Sequence, residues 1–359
     1  MIIEKLVLKD FRNFSSLVFD DLSPAVNLLV GENAQGKTNL IEAVNYLSCL
    51  KSFRGAGEAQ LIREGKKSAY LAVSYRMASH GGKVEAALFS GEKRSVKVGG
   101  VPIRRVGELM GVINTVVFAP EDLKTVKESP SLRRRLLDME ISKIRPLYYA
   151  DLQRYAICIK QKNRLLKEQR VDDALLDTFN ETAAEAGAKI IRRRAKFVEM
   201  LAKEAAAIHA QLTDGGERLE ISYKTCVEGE NLQEALIHKL AENREREKEL
   251  RVSLIGPHRE DLSIQVNGRD SKIYSSQGQQ RSAMLSIKLA CAQIAWHSTG
   301  ERPVILLDDV FSELDISRRE RLLSIIKKNQ VFITSTDISG IKDVRGAKIF
   351  KVSGGQIFL

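Results

Sequence analysis

Residues Gly31 to Thr38 read GENAQGKT, the spacing of a loop that holds the phosphates of a nucleotide. The loop follows the apolar run NLLV and leads into TNLIEAVNYLS, which gives the strand, loop and helix order such a loop needs. Backbone N–H groups in the loop and at the helix start face anionic oxygens. Gly31 and Gly36 let the main chain approach the phosphates, Lys37 reaches the β and γ groups, and Thr38 offers its hydroxyl to Mg²⁺. Glu32, Asn33, Ala34, Gln35 and the following Asn39 complete the cradle. Phosphoryl transfer also calls for a metal-binding carboxylate, set at the end of a neighbouring buried strand. PVILLDD supplies it: Asp308 as the metal ligand through water, and Asp309 to orient or deprotonate the attacking water.

A third stretch, SSQGQQRS at 275–282, precedes the apolar helix AMLSIKLACAQIAWH and has no carboxylate or histidine of its own. A helix start carries unpaired N–H groups and the positive end of a dipole. Gly278 leaves room for a phosphate, and the Ser276 hydroxyl can donate to a γ-phosphate oxygen. Without a lysine, the stretch works as one half of a composite site; its plainer reading is an ordinary capped helix.

These residues must be positioned by a framework of strands. From 1 to 120, short apolar runs alternate with glycine-rich turns, broken by one helix after Lys37. From 121 to 212 strand signals vanish, and the helical spacing of apolar residues predicts an all-helical arm. From 213 to 359 strands return, ending in a hairpin over KIFKVSGGQIFL. About 270 residues separate the loop from the metal strand, far more than one βαβ unit needs, so the arm reads as an insertion in an α/β head.

The chain has 359 residues, and its 57 lysines and arginines exceed its 46 acids, a net +11 that suits a phosphate-rich partner. Residues 133–170 hold eleven of those cations against four acids, and Arg133, Arg134, Arg135, Lys160, Lys162 and Arg164 are the candidates to track a DNA backbone. The stretch 91–105 is a second basic candidate. With aromatics at 6% and none interleaved with the cations, duplex is favoured over single strands. Four scattered cysteines signal neither zinc nor disulfides, and no run is apolar enough to cross a membrane, so a reducing cytoplasm is expected.

The phosphate loop, the metal strand and the signature-like SSQGQQRS together resemble an α/β ABC-type ATPase head of the Rad50 and SMC kind. More narrowly, nearly the whole chain resembles the RecF family of recombination mediators. The resemblance rests on LKDFRNF at 8–14, GENAQGKTNLIEA, FAPEDL at 118–123, GPHREDL at 256–262, SSQGQQRS and LLDDVFSELD. It implies ATP with Mg²⁺, and an ATP-gated homodimer in which Ser276, Gln277, Gly278 and Gln279 close over the nucleotide of the second copy. It further implies that Arg12 and Asn13 reach the nucleotide and that Asp315 crosses the dimer interface. Thr336 stands where a γ-phosphate-sensing histidine is usual, and VVFAPEDL lacks the metal-contacting glutamine, leaving Glu121 or Asp122 to substitute. Asp309 is one methylene shorter than the usual glutamate, so the implied enzyme is a slow, DNA-stimulated ATPase used as a switch. The implied partners are duplex DNA at gaps or single-strand/double-strand junctions, RecR and RecO, and functionally RecA, in DNA repair, replication and the SOS response. The alternatives are a structural SMC-type head and the ATPase subunit of an ABC transporter. The arm lacks sustained heptads, which counts against the first; its basic charge counts against the second.

Overall fold

A computed structural model of the chain describes residues 1–336 and 346–358. It divides into two compact units, one formed by Met1–Leu123, Ala207–Glu217 and Arg281–Leu359, the other by Lys124–Ala206 and Arg218–Gln280.

The first unit is built on two sheets. One runs in the order Gln356–Phe358, Lys348–Ser353, Val26–Val30, Val331–Ser335, Val304–Leu307, Thr115–Phe118, parallel throughout except for the hairpin at its edge. Every residue of Val331–Ser335, Val304–Leu307 and Thr115–Phe118 is buried, which is why these strands read as mainly apolar runs without alternation. The other sheet is antiparallel, in the order Phe14–Phe19, Ile2–Phe11, Ser68–Arg76, Gly81–Phe89, Ser95–Val98, Val101–Pro102. The helix Lys37–Cys49 puts Leu40, Ile41, Val44 and Leu47 into one core with Leu6 and Leu8 of the antiparallel sheet and Leu29 and Leu306 of the parallel one. Each such side chain contributes about 1.5–3 kcal/mol on burial. The phosphate loop thus sits on a helix clamped by residues of both sheets.

The second unit differs from the expected all-helical arm over 121–212. It carries the helices Pro130–Ile144 and Pro146–Leu165 and most of Asp173–Thr213, but it also takes in 218–280. There Leu219–Lys224 and Asp261–Val266 pair antiparallel, with Arg269–Asp270 beside them. Alternating runs announce strands but not their partners; these two pair with each other, so the inserted region has a sheet of its own.

GPHREDL, one of the motifs behind the family resemblance, is the polar centre of this unit. Arg194 makes a bidentate pair with Asp138 (2.9 and 3.0 Å) and donates to Pro257 O (2.7 Å). Glu260 accepts from Tyr223 Oη, Thr225 Oγ1 and Cys226 N. Gly256 has φ 128°, and a Cβ there would stand 2.2 Å from Tyr155 Oη, which lies 2.6 Å from His258 Nδ1. Burial drives the His258 imidazole down to about 4, so it is neutral at pH 7. Among the described residues no helix is long and apolar enough to cross a membrane.

Candidate nucleotide site

The phosphate loop leaves the strand Val26–Val30 and enters the helix at Lys37, and neighbours in the first unit dictate its glycines. A Cβ on Gly31 would lie 2.3 Å from Val352 O, and one on Gly36 would lie 2.5 Å from Asn13 Nδ2. Gly36 also has φ 113°, a region that side chains rarely adopt. Asn13 braces the loop, donating to Gln35 O (2.9 Å) and accepting from Asn39 Nδ2 (2.8 Å). Gly354 N donates to Gln35 Oε1 (2.7 Å) from the edge hairpin.

Lys37 is buried and its Nζ donates to Gly31 O and to Glu32 O (2.7 Å). Burial lowers its pKa, while the charges of Asp309 and Asp308 work the other way. Thr38 Oγ1 donates to Asp308 Oδ1 (2.8 Å), closing a gap of 270 residues in sequence. Thr334 Oγ1 donates to the same oxygen (2.7 Å) and accepts from Asp309 N (2.9 Å). The register Leu307↔Ile333 aligns these strand ends. Burial pushes the Asp308 carboxyl up, the two hydroxyl bonds pull it down, and the Glu121 charge adds to the rise. Asp309 is exposed with φ 51°, and its charge acts on the buried Arg281, whose pKa burial lowers.

Among the described residues, Glu121 Oε2 is buried with no hydrogen-bond partner. Asp122 is already engaged, accepting from Ala119 N (2.9 Å) and pairing with Lys288 (2.9 Å). Of the two acids nominated for the missing glutamine, Glu121 is the one whose charge acts on Asp308. The sequence points to Thr336, which the structure leaves exposed, and misses Thr334 two residues before it; the signal available was a hydroxyl on a strand adjacent to the metal strand. Arg12 is also placed differently from the expectation. Its Nε and Nη2 bind the buried Glu42 (2.8 and 2.9 Å) and its Nη1 binds Gln60 O (2.9 Å), so all three nitrogens are committed away from the loop that Asn13 touches.

Ser276 and Gln279 form a reciprocal cap at the start of Gln277–Thr299: Ser276 N donates to Gln279 Oε1 (2.9 Å) and Gln279 N donates to Ser276 Oγ (3.3 Å). Gln277 and Gly278 are exposed, and a Cβ on Gly278 would meet only Ser276 Oγ, at 4.0 Å. Packing therefore gives no reason for a glycine in this helix, where it costs about 1 kcal/mol against alanine. Asp315 caps the helix Ile316–Ile326, accepting from Arg318 N (2.8 Å).

The basic stretch needs correction. Arg133 is buried in a bidentate pair with Asp261 (2.7 and 2.9 Å), and Lys162 is fully buried against Glu247 (2.6 Å). Arg134 donates to Glu260 O (2.6 Å). A charge count treats every cation as solvated, whereas these three satisfy internal acceptors. Arg135, Lys160 and Arg164 are exposed.

Residues 2–354 match the model of the RecF/RecN/SMC N-terminal domain. The DNA replication and repair protein RecF of Clostridium perfringens is 39% identical over 360 residues, covering 99% of each chain. The protein of the same name from Staphylococcus epidermidis is 41% identical over 372 residues, with 99% of this chain and 100% of that one covered. A solved structure of the recombination mediator protein RecF-ATP in the RecFOR pathway superposes with a TM-score of 0.92 at 36% identity, covering 99% and 97% of the two chains. An Smc head bound to the C-winged helix domain of ScpA, with a TM-score of 0.58 and 16% identity over 99% and 97%, shares the fold.

Proposed function

The chain belongs to the RecF/RecN/SMC family and, within it, to the RecF proteins, and from that membership we propose that it is an ATP-dependent recombination mediator of DNA replication and repair. The observation that carries the reading is the meeting of Thr38 with Asp308 across 270 residues, at the mouth of a loop whose glycines leave room for nothing but backbone. ATP rests its phosphates on Gly31 to Thr38, with Lys37 turning from the loop carbonyls to the β and γ groups. Thr38 and Asp308 offer the hard oxygen donors that Mg²⁺ prefers, and Glu121 has a buried oxygen to spare beside them. The ion supplies charge neutralisation at the phosphates when bound. Asp309 takes the proton of the attacking water, and Thr334 fixes its backbone.

The unexplained Gly278 supports a composite site in which Ser276 to Gln279 of one copy face the γ-phosphate held by a second, with Asp315 at the interface. ATP then closes a dimer around DNA, and slow hydrolysis releases it. Arg135, Lys160 and Arg164 contact the backbone of duplex at gaps or junctions. RecR and RecO are the partners, RecA is the protein loaded, and the cytoplasm is the site of action.

Sedimentation with ATP and Mg²⁺, with and without gapped duplex, tests the reading. The expected result is a dimer formed only with ATP, bound to the gapped duplex and turning ATP over slowly. A chain that stays monomeric with ATP and ignores DNA at physiological salt overturns it.

A further inference from the structure

His209 and Ser286 are fully buried polar residues with no part in the phosphate loop or the metal strand. His209 lies near the end of the helix Asp173–Thr213, in the portion that belongs to the first unit. Beyond it Asp214 and Gly215, with φ 56° and 74°, turn the chain, and Glu217 Oε2 comes back to 3.3 Å from His209 Nε2. On the other side of the ring, Nδ1 lies 3.0 Å from Ser286 Oγ. Burial lowers the His209 pKa; the Glu217 charge works against that fall, and the positive charge of Arg318 adds to it. A neutral imidazole has a single N–H, and a carboxylate only accepts. The hydrogen therefore sits on Nε2, facing Glu217, and Nδ1 accepts from the Ser286 hydroxyl, whose other acceptor within reach is Ser282 O (2.7 Å).

Two helices are referenced to this short segment. Ser286 belongs to Gln277–Thr299, whose start carries the Ser276–Gln279 cap. Arg321 belongs to Ile316–Ile326, which Asp315 caps, and it donates to Asp214 Oδ2 (2.9 Å) and to Leu212 O (3.4 Å). Ser286 stands ten residues beyond Ser276, about 15 Å along the helix, so a tilt or turn at Ser286 moves the cap. An apolar side chain at 209 would fill the space without the cost of burying polar atoms. What the histidine and serine add is a fixed register between two elements.

We propose that His209 is a positioning residue of the composite nucleotide site. Through Ser286 it sets the helix whose cap faces the γ-phosphate held by a second copy, while the same segment holds the helix behind Asp315. The inference rests on the composite-site reading. A misplacement of about 1 Å at such a site costs on the order of a hundredfold in rate.

The test uses full-length His209→Leu, Ser286→Ala, the double variant, and His209→Asn, whose Oδ1 stands in for Nδ1 as the acceptor for Ser286. ATP affinity of the monomer, ATP-driven dimerisation in sedimentation, turnover and thermal unfolding are measured for each. His209→Leu and Ser286→Ala should each weaken dimerisation roughly tenfold, since one hydrogen bond is lost in each of two copies. Turnover should fall with it, while ATP affinity and melting match the wild type. The double variant should be no weaker than either single one, and His209→Asn should restore most of the loss. If His209→Leu does not fold, Ser286→Ala and His209→Asn carry the same comparison. Variants that dimerise and turn over normally, where Gly278→Ala weakens the dimer, overturn this inference alone. A loss of dimers matched by a loss of melting and ATP affinity overturns it too, because the residue is then a plain structural support. A wild type that forms no ATP-driven dimer overturns the composite-site reading beneath it as well.

Discussion

Lys37, with its ammonium folded onto two loop carbonyls, shows how much of this site is already organised by single residues. Lys37→Ala should leave the fold intact, because the loop is also braced by Asn13 and Gly354, but abolish ATP-driven dimerisation. Retained dimers in sedimentation with ATP would contradict the assigned role. Arg133 should behave as a structural residue. Arg133→Ala strands Asp261 in a partly buried position and should cost roughly 3 kcal/mol in denaturant unfolding, with the salt slope of DNA binding unchanged. His258 gives the second unit an acid limit. Its pKa of about 4 when folded lies below the usual 6.5, so the unfolded chain binds the extra proton first. The stability due to neutral His258 is complete above about pH 6.5 and is lost as pH falls towards 4, on the order of 3 kcal/mol in all. His258→Gln should flatten that limb in melts taken between the two pH values; an unchanged limb would assign it to other groups.

The helix that begins at Gln277 bears the sharpest element-level test. Gly278→Ala meets open space and should, if anything, raise helix stability by up to about 1 kcal/mol. If the space belongs to a phosphate held by a second copy, the same change weakens the ATP-driven dimer. A variant that melts higher and dimerises normally reduces the stretch to a helix cap. This helix start was legible in sequence because glycine, hydroxyl and glutamine stood together before an apolar run. So were the phosphate loop and the metal strand, each a local pattern in one element. Pairings between distant elements were not. Arg133 looked like a free cation because its partner Asp261 lies 128 residues away. The strands of the second unit looked like parts of the head because alternation does not name a neighbour. Thr334 escaped for the same reason: its value comes from lying beside Asp308, which only the register of two strands can tell.

At the scale of the whole molecule, the proposed switch rests on a short acid at 309 and, at 336, an uncharged hydroxyl where a γ-phosphate-sensing histidine is usual, a pairing expected to favour holding ATP over splitting it. Asp309→Asn should bind ATP and dimerise but stay closed, read as a dimer that persists on DNA after ATP is withdrawn; normal turnover would remove Asp309 from the chemistry. A different consequence follows from the sheet order. The strand Val26–Val30, which carries the phosphate loop, has Val331–Ser335 on one edge and Lys348–Ser353 on the other, both about 300 residues downstream. At about 5–20 residues per second of synthesis, this strand waits on the order of tens of seconds with both edges bare. Until residues 348–355 leave the ribosome, the loop lacks the two bonds that Gly354 N (2.7 Å) and Gly355 N (3.3 Å) donate to Gln35 and is braced by Asn13 alone. Nascent chains arrested before residue 346 should therefore retain no ATP, and those released at full length should retain it. The nucleotide becomes a late checkpoint on synthesis of the two flanking strands, and VNLLV a segment that needs shelter until then.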